Sequence, residues 1–148
     1  MNPAAFDGMP NDVLIVEDDP LIALDFEDTI LGFGVKTVRA AGDVARALNL
    51  IADRAPDFAL LDVALVREKS FAIAERLEAL KIPFVFITGY GVESIDSRFG
   101  YVPIVKKPVQ RQVLQTIFAA PEAGEATRLS KRRYGAERAG RAASATQP

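Results

Sequence analysis

Val13-Leu14-Ile15-Val16-Glu17-Asp18-Asp19-Pro20 changes character in a single step. Four consecutive apolar residues suit a strand buried on both faces. Three carboxylates follow, and Asp19-Pro20 reads as a helix start, with Asp at the N-cap and Pro at the first helical position. Ile22, Phe26 and Ile30 then recur at i, i+4 and i+8 as one apolar stripe. Gly32 and Gly34 end that helix. A buried strand running into an amphipathic helix is the building unit of a parallel sheet covered by helices.

The same unit recurs outward from this stretch. Val35 to Val38 reads as a second strand, and Asp43 as the cap of a helix carrying Val44, Leu48 and Ile51. Pro56-Asp57 marks a turn into Phe58-Ala59-Leu60-Leu61, an all-apolar strand that ends on Asp62. Ser70 is placed to cap a third helix with Ile73, Leu77 and Leu80. Pro83 to Ile87 is a fourth strand, ending on Thr88-Gly89. Residues 91–100 carry only a weak helical pattern. Val102 to Val105 is a fifth strand, which Pro103 pushes towards a sheet edge. Pro108 opens a last helix with Val109, Val113 and Ile117. Phe33, Phe58, Phe71, Phe84 and Phe86 are core. The pattern is (βα)5, an α/β chain with a doubly wound parallel sheet in three layers. The expected division is an N-terminal extension over 1–11, one domain over 12–120 and a basic tail over 121–148. The tail has few large apolar residues, so it is expected to stay disordered.

Composition narrows the chemistry. The 148 residues include no cysteine, histidine or tryptophan, and 49% are hydrophobic. Disulfides, thiolate sites, imidazole bases and histidine-ligated zinc are therefore excluded. Residues 1–120 hold 12 basic and 17 acidic residues, and residues 121–148 hold 6 and 3. An acidic body does not look like a duplex-DNA binder, and nothing after residue 120 has the length of a DNA-binding domain. No apolar run approaches the ~20 residues that span a bilayer, and the N-terminus lacks the features of a signal peptide. A cytoplasmic protein with no membrane contact is the expectation. The Lys131-Arg132-Arg133 run reads as a solvated charge run.

In a doubly wound sheet the functional site lies beyond the carboxyl ends of the strands. Those ends carry Glu17-Asp18-Asp19, Asp62, Thr88 and Lys106-Lys107-Pro108. Crowded carboxylates need a cation, and hard oxygen donors suit Mg²⁺. An aspartate can attack a phosphoryl group to form an acyl phosphate. A hydroxyl and an ammonium can hold the phosphoryl oxygens, and such positioning accounts for most of phosphoryl-transfer catalysis.

Leu14 to Pro20, Pro56-Asp57 through Leu61-Asp62, Thr88-Gly89 and Lys107-Pro108, in that order and spacing, resemble the receiver domain of two-component response regulators over residues 11–119. The resemblance implies a flavodoxin-like fold with strand order 2-1-3-4-5. It implies Mg²⁺-dependent phosphorylation of Asp62 by a sensor histidine kinase. Glu17 and Asp18 match the acidic metal pair, the backbone carbonyl of Ala64 a further metal ligand, Thr88 the switch hydroxyl and Lys107 the lysine before the proline. The choice of Lys107 over Lys106 and a cis Lys107-Pro108 bond rest on the resemblance alone. Phe86-Ile87-Thr88-Gly89-Tyr90 is also similar to the FAT GUY subgroup, which implies kinases of the HWE/HisKA_2 type. The resemblance thus points to a stand-alone response regulator that signals through an unidentified downstream protein or acts as a phosphate sink. It is not a classical enzyme beyond accepting its own phosphoryl group and slowly losing it.

Three positions depart from the commoner receiver pattern. Ile104 stands where an aromatic is usual, so a switch aromatic is absent or replaced by Tyr90 or Tyr101. Ala64 offers no polar side chain to orient attacking water, and the bulky Tyr90 sits two past Thr88. These departures lead us to expect a long-lived phosphoryl group. Three other classes compete: a non-phosphorylated pseudo-receiver serving as an interaction module, a hydrolase with an aspartate nucleophile, and a flavodoxin-like cofactor binder. Glu17-Asp18-Asp19 would repel the phosphate of such a cofactor.

Overall fold

The computed structural model of the protein describes residues 9–89 and 95–118. Among them the elements run β1 Asp12–Val16, α1 Pro20–Gly32, β2 Thr37–Ala41, α2 Val44–Asp53, β3 Phe58–Asp62, α3 Phe71–Ala79, β4 Phe84–Thr88, a single 3-10 turn Ser97–Phe99, β5 Ile104–Lys106 and α4 Arg111–Phe118. The strands form one sheet in the order β2-β1-β3-β4-β5. All four pairings are parallel, with Val16 opposite both Ala41 and Leu61, Asp62 opposite Ile87, and Thr88 opposite Lys106. This is the flavodoxin-like doubly wound topology.

Side-chain alternation along the strands divides the interior into two cores. Leu14, Val16, Ala59, Leu61, Phe84, Phe86 and Ile104 join Ala47 and Ile51 of α2 and Ile73 and Leu77 of α3. Val13, Ile15, Leu60, Val85, Ile87 and Val105 face the other way and meet Phe26 and Ile30 of α1 and Leu114 and Phe118 of α4. Burying each large apolar side chain contributes about 1.5–3 kcal/mol, and both faces of β1, β3 and β4 make that contribution. This is why their sequences are continuous apolar runs. An aromatic group, Phe71, Phe84, Phe86 and Phe99, fills the side occupied by α3 and the 3-10 turn.

The starts of α1 and α2 follow the sequence, and the cap of α3 does not. Asp19 Oδ1 accepts from the N–H groups of Leu21 and Ile22, and Asp43 Oδ1 from that of Arg46. Ser70 is different: its hydroxyl is fully buried with no hydrogen-bond partner, and only its carbonyl caps α3, accepting from Ile73 and Ala74. Gly34, at φ 109°, forms the left-handed exit of α1.

Three elements differ from the expectation by two residues or more. β2 covers Thr37–Ala41 rather than 35–38, because Val35 is spent on the core beneath α1 before the strand begins. β5 covers Ile104–Lys106, at a sheet edge, because Pro103 has no N–H to pair, although its carbonyl accepts from Phe86. α4 begins at Arg111 rather than at Pro108, and the Gln110 carbonyl accepts the first helical bonds from Val113 and Leu114. Tyr90, the first part of the weakly helical 91–100 stretch and the tail lie outside the described residues.

The amino ends of the strands are closed by a charge network that the sequence reading missed. Asp12, 8% exposed, accepts two bonds from Arg39 at 3.1 Å and one from Arg54 at 2.8 Å. Arg39 also donates to the carbonyls of Leu50 and Arg54, clamping the end of α2 to β1 and β2. The bond that Arg54 donates to Asp12 raises the pKa of Arg54. Asp57 Oδ2 accepts from the N–H groups of Asn11 and Asp12.

Candidate functional site

At the opposite end of the sheet, parallel strands under ~5 Å apart bring four side chains into one place. Glu17 follows β1 directly, and its N–H donates to the Ala41 carbonyl at 3.0 Å. Asp62 is the last residue of β3 and Thr88 the last of β4. Lys107 follows β5, and its N–H donates to the Thr88 carbonyl at 2.9 Å. That bond anchors the lysine backbone beside β4, and its long side chain crosses the strand end. Its Nζ donates to Asp62 Oδ2 at 2.9 Å and lies 3.0 Å from Glu17 Oε1. The Lys107-Pro108 peptide bond is cis. Lys106 is exposed.

Glu17, Asp62 and Thr88 are buried, at 3%, 5% and 1% exposed. Asp18 is half-buried. Glu17, Asp18 and Asp62 each offer an oxygen, all within 4.8 Å of one another. Glu17 Oε2 accepts from the Asp19 N–H at 3.0 Å, and Asp62 Oδ1 from the Ala64 N–H at 3.3 Å. Ala64 also bridges to Lys69, folding the loop after β3 back on itself. Glu68 in that loop accepts from the Val44 N–H, linking it to the start of α2.

The electrostatics follow from this crowding. Burial raises the pKa of Glu17, and the charge of Asp62 adds to the rise; the Asp19 N–H and Lys107 oppose both without cancelling them. Burial by itself would lower the pKa of Lys107, but bonds and attraction to Asp62 and Glu17 outweigh it and raise the pKa. The ammonium therefore stays protonated and acts as the resident countercharge of the cluster. It does not satisfy everything: Glu17 Oε1 is buried and has no aligned hydrogen bond. A buried carboxylate oxygen held only by an unaligned ion pair with Lys107, beside two more carboxylates, is a donor set suited to a hard divalent cation. The residues present therefore fit Mg²⁺.

The structure thus brings together Glu17, Asp18, Asp62, Thr88 and Lys107. Ile104 is buried at the start of β5, 4% exposed. Tyr101 is half-exposed and donates its hydroxyl hydrogen to Glu78 of α3. The sequence pointed to these site residues but gave no sign that Lys107 spans both Asp62 and Glu17.

Comparison with known proteins agrees with this geometry. The family model for the response regulator receiver domain matches residues 13–119. The phyllosphere-induced regulator PhyR of Methylorubrum extorquens is 32% identical over 85 residues, covering 55% of this chain but only 32% of PhyR. The chain thus spans about a third of that relative. The polar-differentiation response regulator DivK of Brucella anthropi is 29% identical over 108 residues, covering 68% of this chain and 87% of DivK. The solution structure of SdrG from Sphingomonas melonis Fr1 superposes with a TM-score of 0.61 at 44% identity, covering 69% of this chain and 87% of SdrG. The receiver domain of Erythrobacter litoralis PhyR superposes with a TM-score of 0.65 at 26% identity, covering 81% of this chain and 92% of that one. With its parallel 2-1-3-4-5 sheet and the carboxylate–lysine cluster at the carboxyl ends of the strands, this chain belongs to the response regulator receiver domain family.

Proposed function

We propose that this receiver is phosphorylated on Asp62 by a sensor histidine kinase and signals through phosphorylation-dependent protein contact or as a phosphate sink. The observation that carries the reading is Asp62 itself. It is a buried strand-end carboxylate bonded to Lys107 and set among the oxygens of Glu17 and Asp18. A carboxylate oxygen of Asp62 forms the new bond to phosphorus as the phosphorus–nitrogen bond to the donor imidazole breaks, and the imidazole leaves with the electron pair. Lys107 holds one phosphoryl oxygen and Thr88 donates to another. Glu17, Asp18, Asp62 and the Ala64 carbonyl would hold Mg²⁺, whose positive charge offsets that of the transferring group. The acyl phosphate carries about −1.5 to −2 charge where the carboxylate carried a single one, so the site between β3 and β4 becomes more negative. This charge biases the surface that runs from Thr88 to Lys107.

SdrG, 44% identical with a TM-score of 0.59, has a solution structure in a BeF3-activated conformation. Beryllofluoride mimics a phosphoryl group, and this chain carries the residues to accept it. The Phe-x-Thr-Gly run at Phe86 to Gly89 supports assignment to the FAT GUY subgroup and a kinase of the HWE/HisKA_2 type. A cytoplasmic location fits this partner; among the described residues no helix is long and apolar enough to cross a membrane. The apolar Ala64, which cannot orient water, supports slow loss of the phosphoryl group.

The test is incubation with Mg²⁺ and acetyl phosphate, read by intact mass. One phosphoryl adduct is expected, absent in Asp62→Asn and persisting well beyond seconds after donor removal. No adduct with acetyl phosphate or with a phosphorylated kinase overturns the proposal in favour of a plain interaction module. Many turnovers per site overturn it in favour of a hydrolase.

A further inference from the structure

The outer face of α1 carries an apolar stripe that the core does not use. Leu21, Leu24 and Leu31 are 76%, 52% and 42% exposed. At 3.6 residues per turn these three positions fall within about a quarter of the helix circumference. They make up half of the large exposed apolar residues among the described residues, the others being Val66, Leu80 and Tyr101. The same helix carries Asp25, Glu27 and Asp28 and no Lys or Arg. The exposed side of α1 is therefore both apolar and negative, and it starts directly after the Glu17-Asp18-Asp19 cluster.

The sequence outside the structure has the complementary character. Between residues 121 and 148 the only large apolar residues are Leu129 and Tyr134, and they bracket Lys131-Arg132-Arg133, with Arg128 alongside. The position of the last described residue matters too. Phe118, which ends α4, packs its ring against Phe33 at the C-cap of α1, with centroids 6.1 Å apart. The chain therefore leaves the domain on the α1 side of the sheet, beside the far end of that helix. Lys131 lies thirteen positions beyond Phe118, enough to reach about 43 Å when extended. α1 is 13 residues long, about 20 Å. Every point on its outer face lies within reach.

We propose that the basic segment Arg128 to Tyr134 docks in cis on the outer face of α1. Leu129 and Tyr134 cover the Leu21–Leu24–Leu31 stripe, and the cationic run pairs with Asp25, Glu27 and Asp28. Tethering supplies an effective concentration in the millimolar range, so a contact too weak to hold two separate chains together still forms within one. The proposal does not depend on phosphorylation of Asp62.

The absence of cysteine makes the test direct. Ser130→Cys in the full chain carries a single nitroxide, and paramagnetic broadening of backbone amide signals reports what lies near it. The expected result is loss of signal for amides along Leu21 to Leu31, while those of α2 and α3 are spared. A mixture of nitroxide-bearing unlabelled chain with nitroxide-free ¹⁵N chain should show none of this loss. In about 1 M salt, where the screening length falls to about 3 Å, the broadening should weaken. It should also disappear with K131E/R132E/R133E in the tail and with L21S/L24S on the helix, each checked for an unchanged amide spectrum elsewhere. Uniform or absent broadening overturns the proposal. Broadening confined to another face overturns it as well. Broadening in the mixed sample overturns the cis contact in favour of pairing between copies.

Discussion

Lys107 carries the site at the scale of single residues. It is the cation that touches both Asp62 and Glu17, and it comes from the far edge of the sheet. Without it three carboxylates would share a space of less than 5 Å with no countercharge. Lys107→Ala should lower unfolding stability in metal-free buffer by about 1–3 kcal/mol, the scale of a hydrogen bond to a charged group, as measured by urea denaturation. Millimolar Mg²⁺ should narrow the gap, because a divalent cation replaces the lost charge. Equal stability of variant and wild type without Mg²⁺ would show that the ammonium does not offset the repulsion. The five side chains that meet here were legible because polar residues close the apolar strands at the carboxyl ends, where a doubly wound sheet places its site. Choosing Lys107 over Lys106 from the sequence required the family resemblance. Only the path of the backbone, fixed by the Lys107 N–H to Thr88 carbonyl bond, turns the second lysine inward. The outward leucines of α1 were not legible as a face, because the Ile22–Phe26–Ile30 stripe already accounts for the helix.

At the scale of elements, the strands buried on both faces were readable and the edge elements were not. β1, β3 and β4 are apolar at nearly every position because helices cover both sides. β2 and β5 lie at the edges, carry residues such as Arg39 and Lys106, and so lose the uninterrupted apolar signal. The exit of α3 shows a local rule broken. Ile82 N–H donates to the Leu77 carbonyl and Lys81 N–H to that of Glu78, which is a Schellman ending. The left-handed position, φ 61°, is held by Lys81 rather than by glycine. Lys81→Gly should therefore stabilise the protein by about 1 kcal/mol, the cost of a side chain in that conformation, less the added freedom of glycine in the unfolded chain. A lower urea midpoint for the variant would contradict this. Next to that exit, Arg98 of the 3-10 turn and Tyr101 just after it tie this segment to Glu75 and Glu78 of α3. Partial burial, the bond to Glu78 and its negative charge push the Tyr101 pKa from 10.0 up to about 12. The folded state thus holds this proton more tightly than the unfolded state. The resulting stability is full below pH 10 and is lost as pH rises towards 12. Ultraviolet titration should show one late tyrosine phase, absent in Tyr101→Phe and shifted to lower pH in Glu78→Gln.

At the scale of the whole molecule, the sheet has two polar ends with different tasks. Asp12, Arg39 and Arg54 close the amino end by internal pairing. The carboxyl end keeps an excess of negative charge and a buried carboxylate oxygen without an aligned donor. One end adds stability outright, whereas the other holds back stability that a cation can release. Mg²⁺ at 100 times its dissociation constant should therefore stabilise the folded state by about 2.7 kcal/mol. For a domain of this size that is a rise in Tm on the order of 10 °C. EDTA should reverse the rise, and Asp18→Asn or Asp62→Asn should blunt it. Asp12→Asn provides the sharper control. It removes the charge that Arg39 and Arg54 share and should lower stability by about 1–3 kcal/mol, less than for a fully buried pair because the Arg54 side chain is 57% exposed. Asp12 and Glu17 lie five positions apart along β1, about 17 Å at 3.4 Å per residue. Sites that far apart with no shared partner behave additively. The Mg²⁺-induced rise should therefore have the same size in Asp12→Asn as in the wild type. A smaller rise would mean that the two ends of the sheet are coupled through β1.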